Sequence, residues 1–246
     1  MTQDTWLTPP VDVQPDSRRV DVWRVFLDLK PDSVQRMEST LSADESQRAS
    51  RFHFDKDRRR YIAAHASLRE VLARYLRCKP HDLKFSANEY GKPFLPEHNV
   101  EFNLSHSGDY ALIAVARGRK VGVDIELIRG DIELENLASR YFSPREVSEL
   151  MTLPSEQRTR GFFHCWTRKE AYIKAQGMGL SLPLDSFDVS LGEPAALRAT
   201  RPDADDAARW SLRSLGVESN YAAALAVEGD ELEVRCWDCD DDISSK

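Results

Sequence analysis

"VGVDIE", residues 121–126, is the stretch on which the reading of this chain turns. Val121, Val123 and Ile125 give it the character of a β-strand. Successive strand side chains point to opposite faces, so Val123 and Ile125 share one face while Asp124 and Glu126 share the other. Two carboxylates held side by side repel each other unless a cation or another partner sits between them. A divalent metal is one answer. The other, commoner for such spacing, is a strand end whose acids both face water.

Working outward, Val100 to Leu104 and Tyr110 to Ala116 read as two further strands separated by the turn signal "SHSG", and "RGRK" leads the chain into Val121. Ser42 to Leu76 has a helical pattern, with Ser42 as N-cap and Glu45 as its capping-box partner. Ser143 and Glu146 repeat that signature before a longer helix, Phe162 to Gln176, which "GMG" stops. Tyr221 to Val227 and Glu231 to Trp237 read as a final hairpin. Helices mixed with antiparallel hairpins indicate an α+β fold rather than a parallel α/β sheet.

The chain also repeats itself. Phe52-His53 matches Phe163-His164 and Tyr61-Ile62 matches Tyr172-Ile173 at an offset of 111 (163 − 52), as do Tyr110-Ala111 and Tyr221-Ala222 (221 − 110). Two blocks in one register predict a duplicated unit, two similar halves about a pseudo-two-fold axis, with the active site between them. At that offset Arg235 and Trp237 correspond to Asp124 and Glu126, and Arg59 corresponds to Glu170. The expected organisation is an extension over 1–20, a first half over 21–120, a second half over 121–237 and an acidic tail over 238–246.

Bulk properties narrow the class. A chain of 246 residues with 41% hydrophobic residues has enough apolar surface to fold. No apolar run approaches the roughly 20 residues of a membrane helix, and the N-terminus lacks the basic and apolar regions of a signal peptide, so a cytoplasmic protein without a membrane partner is expected. The net charge of −7 argues against a general nucleic-acid binder. Arg48, Arg51, Lys56, Arg58, Arg59 and Arg60 nevertheless crowd one stretch, either a solvated helix face or an anion site. Cys236 and Cys239 form a lone C-x-x-C with no second pair to complete a zinc site.

In "FFHCWTRKEAYIKAQGMGL" (162–180), Trp166, Glu170 and Lys174 lie along one helical stripe. An ordinary Glu-Lys pair explains this spacing. A third carboxylate converging on Asp124 and Glu126 explains it as well, and three carboxylates with water and phosphate oxygens suit Mg²⁺.

"VGVDIE" followed by "WTRKEAYIKAQGMGL", together with "EYGKPFLP" (89–96), "FNLSHSG" (102–108) and "GLSLPLDSF" (179–187), resembles the 4′-phosphopantetheinyl transferase superfamily in its larger, duplicated, Sfp-type branch. The resemblance implies Mg²⁺-dependent transfer of phosphopantetheine from the co-substrate coenzyme A to a serine of an apo acyl or peptidyl carrier protein, with adenosine 3′,5′-bisphosphate as the other product. It implies Asp124, Glu126 and Glu170 as metal ligands, Lys174 beside the pyrophosphate, and Glu146 as the base. It implies Lys169 as a secondary phosphate contact, and Arg48, Arg60, Lys92, Ser105 and His106 around the nucleotide phosphates. It implies a monomer serving polyketide or non-ribosomal peptide synthases, with Arg58, Arg59 or Arg145 steering an acidic carrier. Two alternatives are a Mg²⁺-dependent CoA or nucleotide pyrophosphohydrolase, which would use the same acids, and a non-catalytic carrier-binding module, which would be expected to have lost one of Asp124, Glu126, Glu170 and Lys174.

Overall fold

The computed structural model describes residues 4–201, 203–230 and 233–239. In chain order the first half runs β1 (Trp6–Leu7), β2 (Arg19–Phe26), α1 (Pro31–Glu38), α2 (Ala43–Ala49), α3 (Asp55–Leu76), β3 (Ser86–Ala87), β4 (Pro93–Phe94), β5 (Val100–Ser107) and β6 (Tyr110–Arg117). The second half runs β7 (Val121–Leu127), α4 (Leu134–Tyr141), α5 (Pro144–Thr152), α6 (Ser155–Gln176), β8 (Phe187–Val189), β9 (Leu197–Thr200), β10 (Trp210–Ser214), β11 (Tyr221–Glu228) and β12 (Glu233–Cys239). Among the described residues no helix is long and apolar enough to cross a membrane.

The architecture is a four-layer α+β sandwich. One sheet has the order β1-β12-β2-β6-β5 and the other β10-β11-β7. Their facing sides bury Val20, Val22, Leu112 and Ala114 against Val121, Val123, Ile125, Ala223 and Leu225. The outer side of the first sheet packs Trp23, Phe102 and Ile113 on α3, and the outer side of the second packs Ala222, Ala224 and Ala226 on α6. Period-2 alternation therefore explains "VGVDIE" directly: Val121, Val123 and Ile125 enter the core between the sheets, and Asp124 takes the face turned toward α6.

Both capping boxes form. Ser42 and Glu45 close the start of α2, and Ser143 and Glu146 that of α5. The expected helix over 42–76 divides in two: past Ala49 the Arg51 and Phe52 N–H groups turn back to the Arg48 and Ala49 carbonyls (3.1 and 3.3 Å), i→i−3 bonds that close α2 before α3 begins at Asp55.

The last strand corrects the expected final hairpin. β11 already has β10 on one side and β7 on the other, so it has no open edge. β12 crosses instead to the first sheet, where it pairs parallel to β2 with Cys236 opposite Val22. Trp237 there joins Trp23, ring centroids 6.3 Å apart, and donates to Asp21 Oδ1 (2.9 Å). Glu231 and Leu232 lie outside the described residues, as does the acidic run from residue 240 onward.

The duplication is present, but its offset differs between elements. β6 and β11 match at 111, whereas α3 and α6, both 22 residues long, match at 100 (155 − 55). The segment between helix and hairpin is longer in the second half, where it holds β8 and β9. The register then pairs Trp23 with Asp124 and Val25 with Glu126, since their partners Ile113 and Ala224, and Ala111 and Ala222, stand 111 apart. On the helices, Arg69, Glu70 and Arg74 correspond to Lys169, Glu170 and Lys174. These counterparts replace Arg235, Trp237 and Arg59.

Candidate active site

Two elements carry the charged cluster, and a glycine brings them together. A Cβ on Gly122 would lie 2.1 Å from the Ala171 carbonyl oxygen and 2.4 Å from the Ala175 nitrogen of α6. Only a residue without a side chain lets β7 approach the helix backbone so closely. Lys174, on the last turn of α6, consequently reaches Asp124: Nζ donates to Oδ1 at 2.6 Å. Ser105 of β5 completes a triangle, donating to Asp124 Oδ1 (2.8 Å) and accepting from Lys174 Nζ (2.9 Å).

β5 contributes a polar stripe at period 2. Asn103 Oδ1 accepts from the Val123 backbone N–H, and Ser107 Oγ donates to Glu126 Oε2 (2.8 Å) while accepting from the Leu127 N–H. Side chains thus replace the backbone ladder where the two sheets meet. His106, facing the opposite way from Ser105, stands on the α3 side.

The carboxylates are crowded. Asp124 is 2% exposed, and its Oδ2 is buried without a hydrogen-bond partner. Burial, then repulsion from Asp124 and Glu126, raises the Glu170 carboxyl to about 7 despite the opposing Lys174 charge. Burial and Asp124 likewise raise Glu126. Among the described residues no three His, Cys, Asp or Glu side chains already converge as a metal cage. An orphaned buried carboxylate oxygen and two destabilised carboxyls nevertheless form an all-oxygen donor set short of positive charge, which fits a hard divalent cation.

A cationic face lies on the first half. Arg60 of α3 pairs with Asp109 in the turn after β5. The Arg48 guanidinium sits 5.8 Å over the Tyr61 ring, which lies 4.1 Å from the His65 ring. Desolvation by its neighbours, then the charges of His65, Lys174 and Arg60, lower the pKa of His106. An open depression of about 610 Å³ lined by Asp44, Gln47, Arg48, Arg51 and Phe52 adjoins Arg48. Arg48 is thus linked through Tyr61 and His65 to the part of the fold that carries Arg60 and His106.

Four expected site residues are employed elsewhere; Ser105, expected at the nucleotide phosphates, is buried with its hydroxyl between Asp124 and Lys174. Glu146 is 1% exposed and its oxygens accept from the Ser143 and Val189 backbone N–H groups, at 2.9 and 2.7 Å. Lys169 is fully buried, ion-paired to Glu146 (2.8 Å) and donating to the Leu184 and Phe187 carbonyls, both at 2.7 Å. Neither a base accepting a substrate proton nor a phosphate contact fits a pair so enclosed and satisfied. Lys92 donates to the Val121 and Ala175 carbonyls instead of presenting its ammonium to the cleft. The proposed steering arginines are partly neutralised, Arg58 by Glu38 and Arg59 by Asp55.

Sequence reasoning missed Gly122, Ser107, Asp109 and His65. A lone glycine inside a strand signals close backbone approach, and Ser105-x-Ser107 repeats the alternation of Asp124-x-Glu126, so two of the four had a legible signal.

Sequence comparison bears on both halves. The family described as the 4′-phosphopantetheinyl transferase superfamily matches residues 120–226, and one described as 4′-phosphopantetheinyl transferase, N-terminal, matches residues 30–118. The 4′-phosphopantetheinyl transferase HetI of Nostoc sp. is 41% identical over 243 residues, covering 96% of this chain and 99% of that protein. The 4′-phosphopantetheinyl transferase Sfp of Bacillus subtilis is 34% identical over 207 residues, 83% of this chain and 90% of that protein. The solved holo-[acyl-carrier-protein] synthase of Thermotoga maritima is 19% identical, with a TM-score of 0.37 over 45% of this chain and 63% of that one, too loose a fit to equate positions.

Proposed function

This chain belongs to the 4′-phosphopantetheinyl transferase superfamily, and on that premise we propose that it catalyses Mg²⁺-dependent transfer of 4′-phosphopantetheine from coenzyme A to a serine hydroxyl of an apo carrier protein. Adenosine 3′,5′-bisphosphate is the other product. The observation that carries the reading is the cluster of Asp124, Glu126, Glu170 and Lys174, drawn together by the close packing of β7 on α6 at Gly122.

Asp124, Glu126 and Glu170 would hold the metal, which supplies Lewis-acid neutralisation of charge on the phosphoryl oxygens. Ser105 orients the Asp124 carboxylate and the Lys174 ammonium through one hydroxyl. Lys174 brings a cation next to the same carboxylate, where it stabilises negative charge accumulating on a leaving phosphate oxygen. Arg48, Arg60 and His106 grip the nucleotide phosphates, a task for which planar guanidinium groups suit bidentate contact. The serine proton passes to water rather than to Glu146, whose oxygens are already satisfied.

The partners are CoA and an acyl or peptidyl carrier protein, and the enzyme works as a cytoplasmic monomer. Carrier domains of polyketide or non-ribosomal peptide synthases are the substrates we favour. Intact-mass spectrometry of an apo carrier protein incubated with this protein, CoA and Mg²⁺ tests the reading. We expect a gain of one phosphopantetheine that EDTA abolishes. Free phosphopantetheine with an unmodified carrier would point to the pyrophosphohydrolase, and CoA left intact with all carriers unmodified would leave only the binding module.

A further inference from the structure

A loop of the first half closes on both elements that carry the charged cluster. Asn88 Oδ1 accepts from the backbone N–H groups of Tyr90 (3.0 Å) and Lys92 (2.9 Å), a tight turn completed by Gly91 at φ 86°. Asn88 Nδ2 donates across to the Gly177 carbonyl (2.8 Å), just beyond the end of α6. Lys92 Nζ then bridges two backbone acceptors, Ala175 O at 3.2 Å and Val121 O at 3.1 Å.

These carbonyls are not arbitrary. Ala175 lies in the final turn of α6, where carbonyls lack a partner within the helix and the backbone dipole favours a cation. Val121 opens β7. Lys174 is the neighbour of one acceptor, and Asp124 is three residues from the other. The Lys92 stem fits against the helix end as well, for a Cβ on Gly177 would lie 3.0 Å from Lys92 Cδ.

We propose that Lys92 is a positioning residue: its ammonium, bonded to the Ala175 and Val121 carbonyls rather than to a ligand phosphate, clamps the end of α6 onto the start of β7 and so sets Lys174 against Asp124. This inference rests on the transferase reading above. The pair it controls spans two elements, so any slip of the helix end along the strand alters the site directly. A displacement of about 1 Å is enough to cost up to about 100-fold in rate.

The test uses the intact chain with the substitutions Lys92→Met and Lys92→Arg, assayed with CoA and with 3′-dephospho-CoA. Lys92→Met is expected to lower kcat about tenfold or more while KM for CoA moves less than about threefold, with the same kcat loss on 3′-dephospho-CoA. Lys92→Arg, which keeps a cation, is expected to restore part of kcat. Hydrogen exchange should quicken at the last turn of α6 and the first residues of β7 in Lys92→Met.

A rise in KM confined to CoA, with kcat kept, would make Lys92 a 3′-phosphate contact and overturn the clamp. Unchanged kcat in a folded Lys92→Met variant would overturn it too. If Lys92→Met does not fold, Asn88→Ala keeps Lys92 but removes the bond to Gly177 and the two bonds that shape the turn leading to Lys92, and should lower kcat about threefold by the same route; unchanged kcat there would be equally fatal. A wild-type chain that modifies no carrier would sink the transferase reading instead, and the clamp would then stand or fall on the exchange data.

Discussion

The two halves of this molecule contain the same buried device and differ in what stands beside it. In the first, the capping-box acid Glu45 receives Arg69 Nε at 2.7 Å, and the Arg69 guanidinium continues to the Pro80 and Leu83 carbonyls. In the second, the capping-box acid Glu146 receives Lys169 at 2.8 Å, and Lys169 continues to the Leu184 and Phe187 carbonyls. Each device ties a short helix, a long helix and the following loop together. One turn along the long helices the resemblance ends. Arg74 lies 5.5 Å over the Trp23 ring, a cation on an aromatic face. Lys174 at the matching position meets Asp124. The duplication kept its scaffold in both halves, and replacement of Trp23 and Val25 by Asp124 and Glu126 distinguishes the half to which we assign the chemistry.

Breaking the scaffold and breaking the site should therefore give different signatures. Lys169→Met leaves Glu146 charged and buried without its cation, and we expect about 3–5 kcal/mol of lost stability, read as a lower denaturant midpoint. Arg69→Met should cost less, because Glu45 keeps 13% of its side chain in contact with solvent. Equal losses would deny that depth separates the two devices. Asp124→Ala should reduce transfer by about 100-fold or more with the fold kept, as measured by mass spectrometry of the carrier and circular dichroism. Wild-type turnover in that variant would remove Asp124 from the site.

Acid sharpens the comparison further. Burial opposes ionisation of Glu45, but His65, 3.7 Å away, and hydrogen bonds from the Ser42 N–H and Arg69 prevail and hold its pKa at about 2. A carboxyl depressed in this way stabilises the fold above its ordinary pKa and loses that contribution as pH falls toward 2. His164 in the second half behaves oppositely. Burial, then Arg168 and Arg160, lower its pKa to about 4, so the folded state resists a proton that the unfolded chain accepts from its ordinary value of 6.5 downward. The His164 contribution should then be lost between pH 6.5 and 4, while Glu170, raised to about 7, works the other way over the same interval. His164→Phe should therefore make stability fall less across that interval than in the wild type and leave the drop below 4.5 in place, by urea titration across pH. The smallest effect belongs to the cationic face: His106→Ala should raise KM for CoA several-fold, by about 1 kcal/mol, and more than KM for 3′-dephospho-CoA.

Much of this was readable along the chain. Both capping boxes, the strand alternation of "VGVDIE" and the grouping of Asp124, Glu126, Glu170 and Lys174 follow from local periodicity and a family resemblance. The hairpin register also yielded the true offset of β6 and β11. The helix register did not, since a different length of intervening chain shifts identities that are few and partly accidental. Glu146 and Lys169 show the same limit from another side. An acid and a lysine near a motif look chemical in sequence, and only their burial against Val189, Leu184 and Phe187 reveals a structural pair.

Periodicity by itself determined which faces of β7 are apolar and acidic and where α2 and α5 begin, because these depend on neighbours one to four residues apart, and identities 111 residues apart showed that the chain is doubled. Tertiary structure alone decided that β12 fills the open edge beside β2, that Gly122 admits α6, and that Lys92 reaches across to hold both. Those outcomes turn on which edges and carbonyls remain without partners once the sheets have assembled, and no residue carries that information until the rest of the chain is in place.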